Sequence, residues 1–149
     1  VWTFTWFGPE AETQAANALL ETGADVLAQH QDSTATGLAA EAAGAKWISY
    51  NTAYGKDSAP EAFVTAPVWD WGPYYVDIVE SIIDGTFSTE SYWGGMETGL
   101  VSLYDLSSDV PSDIATLIGE KTDAIIDGTF DVEIVEEEFI SNVIGTVNP

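Results

Sequence analysis

Short apolar stretches alternate with segments of helical period along the first half of the chain. Residues 11–22 are alanine-rich and predict a helix that ends at Gly23, and a second helix is expected to end at Gly44. Asp32 or Ser33 is the expected N-cap of that second helix. Four stretches rich in β-branched and aromatic side chains predict strands, at residues 1–6, 24–30, 45–50 and 62–68.

The second half of the chain continues this pattern. A helix is predicted from Gly72 to Gly85, a strand over residues 100–104, and a last helix that ends at Gly128. Residues 131–138 alternate and suit an edge strand. Strands that alternate with helices across short loops predict an α/β fold with a parallel, doubly wound sheet and right-handed crossovers.

Aromatic and polar side chains gather where the predicted strands end. Ligands of such sheets bind beyond the carboxyl ends of the strands, so these side chains are candidates for ligand contacts. Flat apolar faces beside a few hydrogen-bonding groups suit a neutral, planar ligand. The alternative is that the tryptophans fill the core or an interface. The candidate ligand-binding residues are Trp6, Phe7, His30, Asp32, Ser33, Asn51, Trp69 and Trp71.

The charge balance narrows the possible partners. The 149 residues contain 25 Asp and Glu against 3 lysines and no arginine, which gives a net charge of −22. Such a chain lacks the cations that nucleic acids and anionic membrane surfaces require. The acidic residues are scattered, which favours a protein adapted to high salt over an acidic interaction protein. The absence of cysteine from the sequence excludes disulfides, cysteine–zinc sites and thiol nucleophiles.

Motifs for catalysis, cofactors and metals are missing from the sequence. His30 is the single histidine, and no Gly-x-Ser-x-Gly, Gly-x-Gly-x-x-Gly or phosphate-loop pattern occurs. An acidic series lacks the spacing of a calcium-binding loop; its members are Asp123, Asp127, Asp131 and Glu133. We therefore expect a binding protein with no cofactor and no metal, and not an enzyme.

Three ordered segments carry a resemblance to a known family. They read TWFGPEAETQAANALLETGADVLAQHQDSTATGLAAEAAGAKWISYN, then TAPVWDWGPYYV, then YWGGMETGLVSL. This series resembles the basic membrane protein (BMP) family, the substrate-binding lipoproteins of ABC transporters that are related to purine nucleoside receptors. The resemblance implies a type I periplasmic-binding-protein fold, in which two α/β lobes close on a ligand. It also implies an extracytoplasmic location, a lipid anchor in an N-terminal region, and a transporter permease as partner.

The resemblance covers only the second half of a full family member. Residues 1–71 are therefore expected to form a sheet segment of the second lobe. Residues 72–149 are expected to supply a hinge-crossing helix and the C-terminal elements that complete the lobes. The N-terminal lobe is expected to lie outside this chain, either in a longer polypeptide or in an oligomer partner.

Residue by residue, the resemblance implies a modified purine site. The aromatic side chain that stacks on the purine matches Phe7, and a glycine-rich segment near the ligand matches residues 30–34, whose Asp32 is an expected acceptor for a base N–H. The aspartate and the lysine that grip ribose match Asn51 and Trp69. Both departures favour a bare base such as adenine over a nucleoside.

The leading hypothesis is thus an extracytoplasmic protein that captures a small molecule for an ABC importer. The expected ligand is a purine base or a similar flat heterocycle, and a purine nucleoside is the other candidate. One alternative is an extracellular structural or assembly subunit derived from a binding protein, without a transport role. A second is an enzyme on the same scaffold, which the missing nucleophile elbow opposes.

Overall fold

A computed structural model of the chain describes residues 1–133. In this part the helices are Pro9–Glu21 (α1), Ala35–Ala43 (α2), Gly55–Ser58 (α3), Gly72–Ile83 (α4) and Ser112–Ile126 (α5), with a 3₁₀ turn at Met96–Thr98. The strands are Val26–Ala28 (β1), Lys46–Ile48 (β2), Phe63–Thr65 (β3), Pro67–Trp69 (β4) and Val101–Leu103 (β5). Most of the edge strand predicted for residues 131–138 lies outside the described residues.

Strands β1, β2 and β3 form a parallel sheet in that order, which confirms the predicted α/β class. Leu27 lies opposite Trp47, and Trp47 lies opposite Phe63. Helix α2 connects β1 to β2 and packs against both strands and against α1. Because all three strands point the same way, the loops that follow them meet at one edge of the sheet.

The indole of Trp47 is the centre of the core. Its side chain is fully buried, and the ring of Phe63 meets it edge-on at a centroid distance of 6.1 Å. Gly37 in α2 and Gly55 in α3 lie directly against the indole, and a Cβ atom at either position would collide with it. These two glycines therefore let both helices approach the sheet closely enough to enclose a tryptophan.

Residues 1–6 do not form the predicted strand. Trp2 and Phe4 are exposed, and Phe4 has a positive φ of 54° that no extended strand adopts. The segment meets the sheet only through isolated bonds, such as the one from the Asp32 N–H to the carbonyl of Trp6 at 2.8 Å. Alternation alone was insufficient here, because no neighbouring strand continues the ladder.

The single strand predicted over residues 62–68 divides into β3 and β4. Pro67 cannot donate a backbone hydrogen bond, and the chain leaves the parallel sheet there to pair antiparallel with β5. Pro67 thus begins a new strand, β4. After β5 the chain returns to the free edge of β3, where the Tyr104 N–H donates to Ala66 at 2.8 Å and the Ser107 N–H donates to Val64 at 2.7 Å.

Helix α4 presents an apolar face with no cover from the described residues. None of its side chains is buried, and four aliphatic ones are exposed: Val76, Val79, Ile82 and Ile83. Helix α5 is likewise without a buried side chain. Within residues 1–133, no helix combines the length and the apolar character that crossing a bilayer demands.

Candidate functional site

The loops after β1 and β2 meet at the carboxyl edge of the parallel sheet. His30 follows β1, and Tyr50 and Asn51 follow β2. The rings of His30 and Tyr50 lie 4.9 Å apart at an angle of 46°. The exposed imidazole of His30 therefore lies beside the backbone that carries Asn51.

Asn51 and Trp69 are joined by a direct hydrogen bond. The indole N–H of Trp69 donates to Oδ1 of Asn51 at 2.7 Å. Asn51 has a φ of 58°, in the left-handed region that asparagine tolerates better than most residues. The ring of Trp69 in turn stacks on Trp71 at 5.6 Å and 15°. The structure thus brings three of the predicted residues together.

A larger aromatic cavity extends from these two tryptophans. Its volume is about 580 Å³, and it is walled by side chains that sequence reasoning missed. Tyr74 lies 5.9 Å from Trp71 and 4.6 Å from Tyr92, measured between ring centroids. Trp93 is also part of the wall. The aromatic pairs at positions 74–75 and 92–93 were the available signal in the sequence.

Ser33 occupies a different environment from the one predicted. It is buried, its hydroxyl donates to the carboxyl group of Glu12 at 2.5 Å, and its Oγ accepts from the N–H of Ala35 at 3.2 Å. The N-cap of α2 is Thr34, so neither Asp32 nor Ser33 holds the predicted position. The Ser33 hydroxyl nevertheless accepts the first N–H of the helix, that of Ala35, from the position before the N-cap.

The structure does not bring Trp6 and Phe7 to the tryptophan pair. Their side chains are 67% and 66% exposed. Within residues 1–133, neither ring packs against another aromatic ring. Their backbone nevertheless lies beside the loop after β1, because the carbonyl of Trp6 accepts the N–H of Asp32. The carboxylate of Asp32 is exposed at the same place.

The ion pair of residues 1–133 lies away from the carboxyl edge of the sheet. It joins Nζ of Lys46, at the start of β2, to Oδ2 of Asp109 at 2.6 Å. At the rim of the aromatic cavity, the backbone N–H groups of Gly95 and Glu97 hold the pKa of the Glu97 carboxyl below its usual value. Across residues 1–133, no three His, Asp or Glu side chains converge as metal ligands would.

Comparison with known families identifies the chain. The family Bmp, described as ABC transporter substrate-binding protein PnrA-like, matches residues 1–134. The chain belongs to the Bmp family. This confirms the resemblance that the three sequence segments indicated.

Two curated relatives of this Bmp chain are similar over most of its length. One is a putative ABC transporter glucose-binding protein of Haloferax volcanii, 35% identical over 131 residues, which are 88% of this chain and 33% of the relative. The other is a purine-binding protein of Brucella abortus, 38% identical over 131 residues, which are 85% of this chain and 35% of the relative. The chain thus spans about a third of the length of these relatives.

Solved structures share the fold of this Bmp chain. An ABC transporter solute-binding protein from Conexibacter woesei superposes with a TM-score of 0.72 at 22% identity, over 89% of this chain and 45% of that one. A transcriptional activator of the comK gene from Bacillus halodurans superposes with a TM-score of 0.76 at 19% identity, over 86% and 46%. These likenesses confirm a partial periplasmic-binding-protein-like fold.

Proposed function

We propose that this chain is the ligand-gripping segment of an extracytoplasmic substrate-binding protein that delivers a small molecule to the permease of an ABC importer. Membership of the Bmp family and the names of both curated relatives support a substrate-binding role. The protein captures and releases its ligand without a chemical step. Its attachment to the cell surface through a lipid anchor in an N-terminal region belongs to the same proposal.

The complete protein has a second lobe in this proposal. Residues 1–71 supply the sheet of one lobe, and residues 72–149 supply the hinge-crossing helix and the elements that complete both lobes. The relatives support this, because this chain spans about a third of their length. The apolar face of α4 that residues 1–133 leave exposed supports it as well. Ligand contacts made only in the closed form would shift the population from open to closed lobes.

The proposed ligand is a neutral, planar heterocycle, with a purine base as the leading candidate. The observation that carries this choice is the hydrogen bond between Asn51 and Trp69. Asn51 uses its side-chain oxygen on the indole N–H, so Trp69 offers its ring face to a ligand and no free donor to a sugar. Aromatic faces bind bases well, because every base has a flat π-surface.

Two polar groups complete the proposed site. In this proposal the carboxylate of Asp32, an exposed residue, accepts hydrogen bonds from the ring N–H or exocyclic amine of a base. The imidazole of His30, held against Tyr50, offers a second directional contact. Trp6, Phe7 and Trp71 supply further aromatic surface, and Ser33 supports the loop.

Calorimetric titration of a protein that contains both lobes tests this proposal. Adenine, adenosine and glucose serve as the three ligands, since the curated relatives are named for a purine and for glucose. Trp69→Leu should weaken adenine binding by about tenfold or more, because a stacked base is worth roughly 1–3 kcal/mol. Phe87→Leu is the matched control, since this exposed aromatic residue lies beyond the far end of α4. Binding of glucose alone, or equal losses in both variants, would contradict the proposed ligand.

A further inference from the structure

A buried carboxyl group connects the start of α1 to the loop that follows β1. Glu12 is only 1% exposed. Its Oε1 accepts the backbone N–H of Gly8 at 2.9 Å, and its Oε2 accepts the hydroxyl of Ser33 at 2.5 Å. Burying a carboxyl group without hydrogen-bond partners is strongly unfavourable, so these two donors explain why the Glu12 side chain can be buried. The first turn of α1 and the loop are therefore held by one side chain.

Gln29 holds the same loop from its other side. Its Nε2 donates to the carbonyl of Gln31 at 2.8 Å and to that of Ser33 at 2.6 Å. Its Oε1 accepts the indole N–H of Trp47 at 3.0 Å. All side-chain atoms of this network are buried or partly buried, and the fully buried indole of Trp47 anchors it in the core. The loop backbone thus has fixed attachments both to the sheet and to α1.

The network also fixes the backbone around Phe7. On one side of Phe7, the carbonyl of Trp6 accepts the N–H of Asp32 at 2.8 Å. On the other side, the N–H of Gly8 donates to Glu12. Residues 6–8 are therefore tied at both ends to the segment that presents Asp32.

From this geometry we infer that Glu12 is a positioning residue of the ligand site. By holding Gly8 and Ser33 together, it sets the distance between two proposed ligand contacts, Phe7 and Asp32. Glu12 itself is too deeply buried to touch a ligand. The inference rests on the proposed function, because Phe7 and Asp32 are ligand contacts only under that proposal.

The chain offers a matched control at the opposite end of the sheet. Oε2 of Glu41, near the end of α2, accepts the backbone N–H groups of Glu61 at 2.7 Å and Ala62 at 3.2 Å. These residues precede β3, so Glu41 holds a loop at the amino edge. Glu41→Gln therefore makes the same chemical change as Glu12→Gln, away from the proposed site.

The test compares Glu12→Gln, Ser33→Ala and Glu41→Gln in a protein that contains both lobes. We expect the Asp32 amide to exchange its hydrogen about tenfold faster in the first two variants, since each removes part of a buried hydrogen-bond network. Adenine affinity, corrected for the folded fraction, should fall about tenfold in the same two variants. Glu41→Gln should change neither quantity by more than about twofold.

Two results would overturn the inference: an unchanged Asp32 exchange rate in Glu12→Gln and Ser33→Ala, or an equal loss of affinity in Glu41→Gln. If Glu12→Gln does not fold, Ser33→Ala decides, because it removes a single hydroxyl. If the unaltered protein binds none of adenine, adenosine and glucose, the proposed function fails. The exchange rates then still decide whether Glu12 fixes the loop.

Discussion

The side-chain oxygen of Asn51 accepts the indole N–H of Trp69 across a distance of 2.7 Å, and this bond joins the loop after β2 to the end of β4. The two residues are 18 positions apart: Asn51 follows β2 of the parallel sheet, and Trp69 ends β4 of the two-stranded sheet. The bond fixes one tryptophan of a stacked pair, because Trp69 also lies against Trp71. The proposed site is therefore built where the two sheets meet.

The backbone of Asn51 yields a first prediction. Its φ of 58° is strained for residues with an ordinary Cβ and unstrained for glycine. Asn51→Ala should therefore reduce the free energy of unfolding by about 1 kcal/mol more than Asn51→Gly does, although both lose the bond to Trp69. Chemical denaturation of the two variants measures this difference. Equal stabilities would show that the backbone relaxes away from the left-handed conformation.

The fit of α2 against Trp47 yields a second prediction. A Cβ atom at Gly37 would collide with the indole, whereas one at Gly119 in α5 would lie within 4 Å of no atom of residues 1–133 outside its own helix backbone. Gly37→Ala should therefore destabilise the fold by about 1–3 kcal/mol, as overpacked cores do. Gly119→Ala is the matched control and should be neutral or stabilising by about 0.5–1 kcal/mol, because alanine favours helices. Thermal unfolding followed by circular dichroism compares them, and similar midpoints for both variants would refute the close fit.

The charge balance predicts that stability rises with salt. The net charge is −22, and the recorded ion pair of residues 1–133, Lys46–Asp109, is solvent-accessible. An exposed pair contributes little, while screening relieves the repulsion among the acidic residues. The thermal midpoint should therefore increase between about 0.1 M and about 3 M KCl, over which the Debye length falls below about 3 Å. A flat or falling midpoint would count against adaptation to high salt.

Phe7 yields a prediction that separates binding from stability. Its side chain is 66% exposed, so Phe7→Ala should leave the denaturation midpoint nearly unchanged. If Phe7 stacks on the ligand when the lobes close, the same change should weaken adenine binding by about 1–3 kcal/mol. Calorimetry on the two-lobed protein measures the affinity, and Phe4→Ala, which alters another exposed ring, is the control. A large loss of stability with unchanged affinity would make Phe7 a packing residue.

The sequence predicted the parallel sheet well because its strands carry their own evidence. Residues 24–30 and 45–50 contain compact apolar runs, flanked by residues that end helices, and both became strands β1 and β2. Residues 1–6 alternate in β-rich side chains, and the strand predicted there does not form. A strand also needs a neighbouring strand to pair with, and no local pattern reveals where that neighbour lies. Pro67 marks the point where the chain leaves the parallel sheet, because a residue without a backbone N–H cannot donate to the next strand.

The contacts at the carboxyl edge were less predictable. Glu12 lies in the first turn of a helix, where any acidic residue is favourable, and nothing in that pattern indicates burial against Ser33. The bond from Trp47 to Gln29 depends on the register of β1 against β2, and the bond from Trp69 to Asn51 depends on how the two sheets meet. Register is a property of the assembled sheet, so these partners became visible only in three dimensions.

Ligand selectivity provides the most discriminating prediction: adenine should bind at least about tenfold more tightly than adenosine, a difference of about 1.4 kcal/mol. The resemblance implies that relatives use a carboxylate and a lysine for ribose at the positions of Asn51 and Trp69. Here the amide oxygen of Asn51 already accepts the Trp69 indole N–H. Ribose hydroxyls placed against this pair would meet no carboxylate and no ammonium group, and each buried hydroxyl left without a partner costs roughly 1–3 kcal/mol.

The double variant Asn51→Asp/Trp69→Lys supplies the matched test of that selectivity. It places a carboxylate acceptor and an ammonium donor where the resemblance implies that relatives hold ribose, so adenosine should gain affinity relative to adenine. Competition binding with both ligands, on the original protein and on the double variant, measures the change in the ratio. Because both ligands share the same base, general damage to the stacking surface would weaken them equally and leave the ratio unchanged. Tighter binding of adenosine by the original protein would show instead that the sugar lies away from Asn51 and Trp69, and the ligand would then be a nucleoside.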